Sequence, residues 1–278
     1  MHTLDTLDTF EPKRLLAADP EIAARLAARQ ADIDAGAPVS TWNRSALIAG
    51  GGLLATAALA KDVFAQGGLP SVVVDVLNFA LTLEHLEAEF YVTGVGTSGL
   101  IPADMRGPFD QIRKHEVAHV AFLKSVLGSA AIAKPTFDFT AGGGSGNGVF
   151  ADVFRNAQTF AAVAQAFEDT GVRAYKGQAA NLMGHNDVLR AALRIHSVEA
   201  RHAAQVRRMR GQKGWIAGSL PGNLPDAAKG TYKGESNRFQ FILGQPDSNE
   251  TSQTEAFDET LTKSQVLEIV NPFIAGGR

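Results

Sequence analysis

Residues 84–119 read EHLEAEFYVTGVGTSGLIPADMRGPFDQIRKHEVAH, and this stretch decides the fold. It begins with a single glutamate, Glu84, has Tyr91 seven residues later, and ends in a Glu-x-x-His motif formed by Glu116 and His119. Residues three apart lie on the same face of a helix, so this glutamate and histidine can bind one metal ion together. The single glutamate would add a ligand from a preceding helix. The stretch therefore predicts two antiparallel helices that carry half of a metal site.

The same pattern occurs a second time, 83 to 84 residues further along the chain, as Glu168, Tyr175, Glu199 and His202. Four-helix bundles with dinuclear carboxylate sites take one Glu from each of two helices and a Glu-x-x-His motif from each of the other two. The two copies supply this set of six ligands. Four carboxylates and two imidazoles form an oxygen-rich site that suits iron or manganese. The expected cofactor is two Fe ions, with two Mn ions as the alternative.

The spacing within each copy tests this geometry. In an antiparallel hairpin, two residues at the same distance from the turn lie at the same height. The two glutamates of the first copy are centred on Leu100, inside a segment rich in Gly and Pro, and those of the second copy are centred on residues 183–184. Both centres fall where a turn is expected. All six candidate ligands are therefore predicted to lie in one layer.

Four segments have apolar residues at the three-to-four spacing of amphipathic helices, namely 71–93, 102–127, 149–182 and 186–210. Residues 128–148 separate the second segment from the third and contain Pro135 and the run GGGSG. A loop of this length is uncommon in a compact domain, but a connection between two hairpins must run the length of the bundle. The predicted fold class is all-α: a four-helix bundle of two antiparallel hairpins with a long crossover.

The regions outside the bundle divide the chain into three parts. We predict an N-terminal extension at 1–65, the bundle at 66–212, and a loop-rich C-terminal tail at 213–278 with a short helix near 263–270. Residues 46–60, ALIAGGGLLATAALA, carry no charge and follow an arginine, which is typical of an export signal covering 44–65. The expected location is periplasmic or exported, and an ordinary helix in a cytoplasmic protein is the alternative. The run is too short for a stable membrane span in the mature protein.

Composition excludes several other classes. The chain has 278 residues and a formal net charge of -3, so no basic surface is expected to bind nucleic acid. It has no cysteine, which excludes disulfides, Cys-ligated zinc and iron–sulfur clusters. A metal-free structural bundle is disfavoured because burying four carboxylates without cations is costly.

The segment HEVAH at 115–119 also matches the helix motif of zinc metalloproteases. That class needs a third ligand downstream, but residues 120–167 contain no glutamate, and Phe122 and Ser125 stand where the longer motif has Gly and His. The protease interpretation also leaves the second copy of the pattern unexplained. We therefore interpret His115 as a surface residue or as one that contacts a metal ligand.

Residues 71–210 resemble the ferritin-like superfamily of di-iron carboxylate proteins. The segment LEHLEAEFY at 83–91, with FDE at 257–259 and QVLEIV at 265–270, is more similar to the bacterial and plant ferritin-like family that includes desiccation-related proteins. Members of that family often have an export signal, which agrees with the interpretation of residues 44–65.

The resemblance implies a role for each residue of the pattern. Glu84 and Glu168 would be the single carboxylates of the first and third helices, Glu116 and Glu199 would bridge the metals, and His119 and His202 would be terminal ligands. Tyr91 and Tyr175 are the candidate catalytic residues, which would hydrogen-bond a ligand or supply an electron; the alternative is a pair of core aromatics. Glu87 and Glu89 are expected to be solvated or interhelical, with Glu87 as the replacement ligand for Glu84.

The expected function is a reaction of the two metals with O2 or peroxide, as a ferroxidase or in protection from oxidative or desiccation stress. Manganese catalase is the first alternative. Substrate oxidation is another, in which the small residues Ala161, Ala164 and Gly171 would open a pocket. A different class is a non-catalytic, metal-stabilised stress or envelope protein. The expected partners are the metal ions and the oxidant, and a homodimer is compatible with the sequence.

Overall fold

The structure is a computed structural model that describes residues 69–219, 223–239 and 254–276. The expected N-terminal extension and its export signal lie outside the described residues. Within them the chain is helical, with four long helices and a shorter fifth one: α1 Ser71–Gly96, α2 Ala103–Leu127, α3 Ala157–Gln178, α4 Asn186–Met209 and α5 Lys263–Val270. Short 3-10 segments lie at Gly128–Ala130, Ala179–Leu182, Asp226–Tyr232 and Asn271–Phe273.

The four long helices form two hairpins. Helix α1 packs along α2, and α3 packs along α4, while contacts between α1 and α3 and between α2 and α4 join the hairpins. This arrangement confirms the predicted all-α four-helix bundle. None of the described helices is long and apolar enough to cross a membrane.

The start of the third helix differs from the prediction. Helix α3 begins after Asn156, whose side chain accepts hydrogen bonds from the backbone N–H groups of Gln158 and Thr159. Residues 149–155 form turns, in which Phe150 and Val153 are nevertheless buried. The apolar pattern continued past the helix because these turn residues also pack on the core. The predicted start at residue 149 was therefore wrong, and the crossover extends to the cap.

A buried arginine is one of the residues that join the C-terminal tail to the bundle. Arg173 of α3 is fully buried, and its guanidinium donates hydrogen bonds to the backbone carbonyls of Thr231, Lys233 and Glu259. It also forms an ion pair with Glu235 at 2.7 Å. A buried charge with this many partners holds the surrounding chain in one arrangement. The tail therefore packs on the outside of α3 as a wrap.

Two of the three apolar clusters among the described residues lie along the length of the bundle, and the third joins α3 to the C-terminal tail. One cluster includes Phe90, Phe109 and Phe160, and the other includes Leu81 and Leu123. Along α1 and α2 the glutamates of the repeated pattern fall between these residues. The bundle therefore has a polar layer enclosed between two apolar ones.

Candidate metal centre

The six candidate ligands come together in this polar layer. Their carboxylates belong to Glu84, Glu116, Glu168 and Glu199, which we name the site glutamates, and each of the four is fully buried. Their imidazoles belong to His119 and His202, named the site histidines. Two overlapping groups of four have ligand atoms that all lie within 4.8 Å of one another: Glu84, Glu116, His119 and Glu199, and Glu116, Glu168, Glu199 and His202.

Each site histidine turns its Nδ1 atom toward three carboxylates. Nδ1 of His119 lies 3.2 Å from Glu84 Oε2, 3.3 Å from Glu116 Oε2 and 3.2 Å from Glu199 Oε1. We name this group the His119 half. The site glutamates around the other histidine form the His202 half.

In the His202 half, Nδ1 of His202 lies 2.8 Å from Glu116 Oε1, 3.3 Å from Glu168 Oε2 and 3.9 Å from Glu199 Oε2. Glu116 and Glu199 therefore contribute one oxygen atom to each half. A carboxylate that bridges two metal ions needs this placement. The two carboxylates that contact only one histidine are those of Glu84 and Glu168, as the resemblance implied.

The two tyrosines of the pattern hold the single glutamates, and each does so across the bundle. The hydroxyl of Tyr91 donates a hydrogen bond of 2.6 Å to Glu168 Oε1, and that of Tyr175 donates one to Glu84 Oε1. The tyrosine of each copy thus contacts the glutamate of the other copy. The second oxygen of each single glutamate is left facing the nearer site histidine.

Several buried atoms of the centre have no hydrogen bond among the described residues, and this tests whether metal ions fit. They are Glu116 Oε1, Glu168 Oε2, both carboxylate oxygens of Glu199, and Nδ1 of His202. Nδ1 of His202 and Oε1 of Glu116 are only 2.8 Å apart, but the N–H bond is not directed at the oxygen atom, so the two form no hydrogen bond. Buried polar atoms without partners are rare, because each one costs free energy. Atoms of this kind that converge on a common space are suited to hold cations.

Burial and the closeness of the charged groups also shift the pKa values of the centre. Burial raises the pKa of Glu84 to about 7, and burial with the charge of Glu116 raises the pKa of Glu199 well above its ordinary value. Burial acts to lower the pKa of His202, but the neighbouring Glu168 and Glu116 outweigh it and raise the pKa to about 11. Without metal ions, bound protons must therefore offset the negative charge of the carboxylates.

A fifth carboxylate lies beside the centre. Glu87 is only 3% exposed, so it is interhelical rather than solvated, and burial together with the charge of Glu199 raises its pKa well above the ordinary value. The absence of a side chain at Gly171 of α3 leaves room for the carboxylates of Glu87 and Glu199. A Cβ atom there would lie 3.3 Å from Glu199 Oε2 and 3.4 Å from Glu87 Oε1. Glu89 is partly exposed and pairs with Lys134, as expected for a solvated residue.

His115 contacts a site histidine. Its Nδ1 lies 2.8 Å from Nε2 of His202, and the two rings are stacked with centroids 5.1 Å apart. The other ring nitrogen of His115 lies 2.7 Å from the side-chain nitrogen of Gln111. Of the two interpretations of His115, the structure agrees with contact to a candidate ligand. Gln111 was not identified from the sequence, and its place four residues before His115 on a helix was the signal that could have found it.

Two of the small residues of α3 that were expected to open a pocket are packed in the core. Ala161 and Ala164 are buried in the apolar cluster that contains Phe90. A cavity of about 300 Å³ lies elsewhere, under the C-terminal tail, and its lining includes Phe150 and Phe273 but none of the six candidate ligands. The described residues therefore give no support to a substrate pocket near Glu168.

Comparison with known proteins gives one match. A family model described as a ferritin-like domain matches residues 73–212, which contain all eight residues of the repeated pattern. A search of the curated proteins finds no match.

Proposed function

The chain belongs to the family of ferritin-like domains, and we propose that its buried centre binds two metal ions that react with O2 or peroxide. Iron is the proposed metal and manganese the alternative. The observation that carries the proposal is the set of buried oxygen and nitrogen atoms without hydrogen bonds on Glu116, Glu168, Glu199 and His202. These residues form one of the two overlapping groups of four candidate ligands. Ferroxidase activity or peroxide detoxification follows as the proposed reaction.

The total charge of the six candidate ligands supports the proposed number of two metal ions. Four ionised carboxylates and two neutral imidazoles carry four negative charges, which two divalent ions neutralise. Removing the cations leaves carboxylates enclosed between two apolar clusters, an arrangement that is strongly unfavourable. The donor set of oxygen and imidazole nitrogen suits Fe or Mn, which supply redox electrons and Lewis acidity when bound.

The side chains of the centre have distinct parts in this proposal. Glu116 and Glu199 tie the His119 half to the His202 half, because each has an oxygen atom in both. Tyr91 and Tyr175 orient the single glutamates through their hydroxyl groups. Burial raises the pKa of both tyrosines well above the ordinary value, so both remain hydrogen-bond donors. A role as electron donors stays a prediction.

Two alternatives use the same centre differently. A manganese catalase would consume peroxide when loaded with Mn, and a metal-stabilised stress or envelope protein would bind the ions without turnover. The test is to load the purified full-length chain with Fe or Mn and to measure metal content, Fe²⁺ oxidation and peroxide consumption. We expect two metal ions per chain and Fe²⁺ oxidation by the iron-loaded protein. Peroxide consumption with Mn alone would favour the catalase, and metal binding without turnover would favour the structural role.

Variants make the test specific to the centre. Glu116→Ala and His202→Ala should each lower the metal content, because each removes an atom from the converging groups. Glu89→Ala and His185→Ala remove the same residue types outside both groups and should leave it unchanged. A wild-type protein with much less than one metal ion per chain would refute the proposal, as would unchanged metal content in both site variants.

A further inference from the structure

The two halves of the centre differ in the support of their histidines. Nε2 of His202 faces Nδ1 of His115 at 2.8 Å, and the two rings are nearly parallel, with 15° between their planes. In the first Glu-x-x-His motif His115 precedes Glu116, whereas in the second motif Val198 precedes Glu199. Valine cannot offer the equivalent hydrogen bond to the histidine of the other half. The repeated pattern is therefore symmetric in its ligands but not in the residues that support them.

A short chain of side chains leads from His202 outward. His115 is half-buried, and its Nε2 lies 2.7 Å from the side-chain nitrogen of Gln111, which is exposed on the same helix. The chain of contacts thus runs from Nδ1 of His202, through two imidazole rings, to an amide at the surface. Each imidazole ring passes on the direction of its hydrogen bond, because a neutral ring donates from one nitrogen and accepts at the other.

This direction decides whether His202 can bind a metal ion. An imidazole that binds through Nδ1 must carry its proton on Nε2. His202 would then donate to Nδ1 of His115, and His115 would donate from Nε2 to an acceptor at Gln111. The amide nitrogen of Gln111 occupies that place in the structure, and it can only donate. For a neutral His202, this donation would reverse the direction along the chain and place the proton on Nδ1, beside Glu116.

A rotation of the glutamine amide exchanges its oxygen and nitrogen atoms, and with the oxygen turned toward His115 the chain keeps the proton of His202 on Nε2. We propose that, in this orientation, His115 and Gln111 are positioning residues that fix the metal-binding tautomer of His202, and that they make the His202 half the tighter of two unequal metal positions. The inference rests on the proposed function and adds to it an order of metal binding. A partner that fixes the tautomer and orientation of a metal-binding imidazole increases its affinity, and the loss of such a partner typically costs about 10- to 100-fold.

The test is a Mn²⁺ titration of the full-length, metal-depleted chain, with free Mn²⁺ followed by electron paramagnetic resonance. His115→Leu removes the partner of His202. His115→Asn retains an acceptor near the position of Nδ1 and serves as the conservative rescue. His185→Leu removes an imidazole outside the two ligand groups and is the matched control.

We expect two unequal binding steps in the wild type and in His185→Leu. In His115→Leu the tighter step should weaken about 10- to 100-fold while the weaker one changes less than about threefold, and His115→Asn should recover most of the loss. The inference is overturned if His115→Leu leaves both steps unchanged, or if both weaken together with a lower thermal midpoint, which would indicate a structural role. A wild type that binds neither Mn²⁺ nor Fe²⁺ refutes the proposed function itself, and a wild type that binds two ions with no effect of His115→Leu refutes only this inference.

Gln111→Glu tests the direction of the hydrogen bonds. A carboxylate only accepts, so it fixes the proton on Nε2 of His115 and leaves Nδ1 of His202 free for the metal. We expect the tighter step to be retained or strengthened, and the effect to persist at high salt, where the influence of an exposed charge is screened. A weakened step, or a gain that disappears at high salt, would contradict the role assigned to Gln111.

Discussion

At the scale of single residues, the tyrosines of the pattern can be separated from ordinary core aromatics. Tyr91→Phe removes the hydroxyl that donates to Glu168 and leaves a buried carboxylate oxygen without its partner. This should lower the free energy of unfolding by about 1–3 kcal/mol. Because Glu168 loses its orientation, the affinity for Mn²⁺ should also fall, by about 10- to 100-fold. Chemical denaturation and metal titration measure the two effects.

Tyr232→Phe is the control for this change. Tyr232 is also fully buried, and its hydroxyl donates a hydrogen bond of 2.6 Å to Asp169, which lies outside both ligand groups. The control should lose stability without losing metal affinity. If Tyr91→Phe behaves in the same way, the hydroxyl of Tyr91 only satisfies a core hydrogen bond, and its assignment to the centre is wrong.

The convergence of the six candidate ligands could be predicted from the sequence because it depends on spacing alone. Glu-x-x-His fixes two side chains on one helical face, and equal distances from a turn fix the height of their partners, so no tertiary contact had to be known. No such rule places His115 against His202 or Glu87 beside Gly171, because those contacts depend on how neighbouring helices pack. Gln111 follows once His115 is placed, since it lies four residues earlier on the same helix.

At the scale of the helices, the features that follow from spacing were predicted, and those that depend on tertiary packing were not. The number, order and pairing of the four long helices follow from apolar periodicity and the two turns. The start of α3 does not, because the turn residues Phe150 and Val153 are buried and extend the apolar pattern beyond the helix. The capping side chain of Asn156 is the local signal that sets the boundary.

Helix α3 also carries a prediction of its own, because a glycine inside a helix normally weakens it. Replacing glycine with alanine at such a position gains up to about 1 kcal/mol where there is room. At Gly171 the new Cβ would lie 3.3 Å from Glu199 Oε2, so that this buried carboxylate would have to shift by a few tenths of an ångström within the centre. We expect Gly171→Ala to fold but to bind fewer than two metal ions per chain, as measured by elemental analysis.

The matched control is Gly107→Ala in α2. Apart from its two chain neighbours and the backbone of its own helix, a Cβ at Gly107 would meet no heavy atom within 4 Å. Because Pro108 follows and disfavours a side chain at a preceding helical residue, we expect no gain in stability, but the variant should keep the metal content of the wild type. Full metal loading of Gly171→Ala would show that the carboxylate of Glu199 can move aside, and the glycine would then have no function at the centre.

At the scale of the whole molecule, neither hairpin contains a complete half of the centre. The His119 half takes Glu84, Glu116 and His119 from the first hairpin but Glu199 from the second. The His202 half takes Glu168, Glu199 and His202 from the second hairpin but Glu116 from the first. Bound metal ions would therefore connect the two hairpins. The C-terminal wrap is joined to the bundle by different means, among them Arg173, and no spacing rule predicts that contact.

Because protons and metal ions compete for the atoms that join the hairpins, metal binding should depend on pH. Burial raises the pKa of Glu84 to about 7, and neighbouring carboxylates raise that of His202 to about 11, so the metal-free centre holds more protons as the pH falls. Each proton must leave before its atom binds a metal ion, which weakens apparent affinity by about tenfold per pH unit for each proton displaced. We expect Mn²⁺ to bind more weakly at about pH 6 than at about pH 8 and to release protons into a weakly buffered solution. Equal affinity at both pH values without proton release would mean that the converging carboxylates and imidazoles are not the atoms that bind the metal.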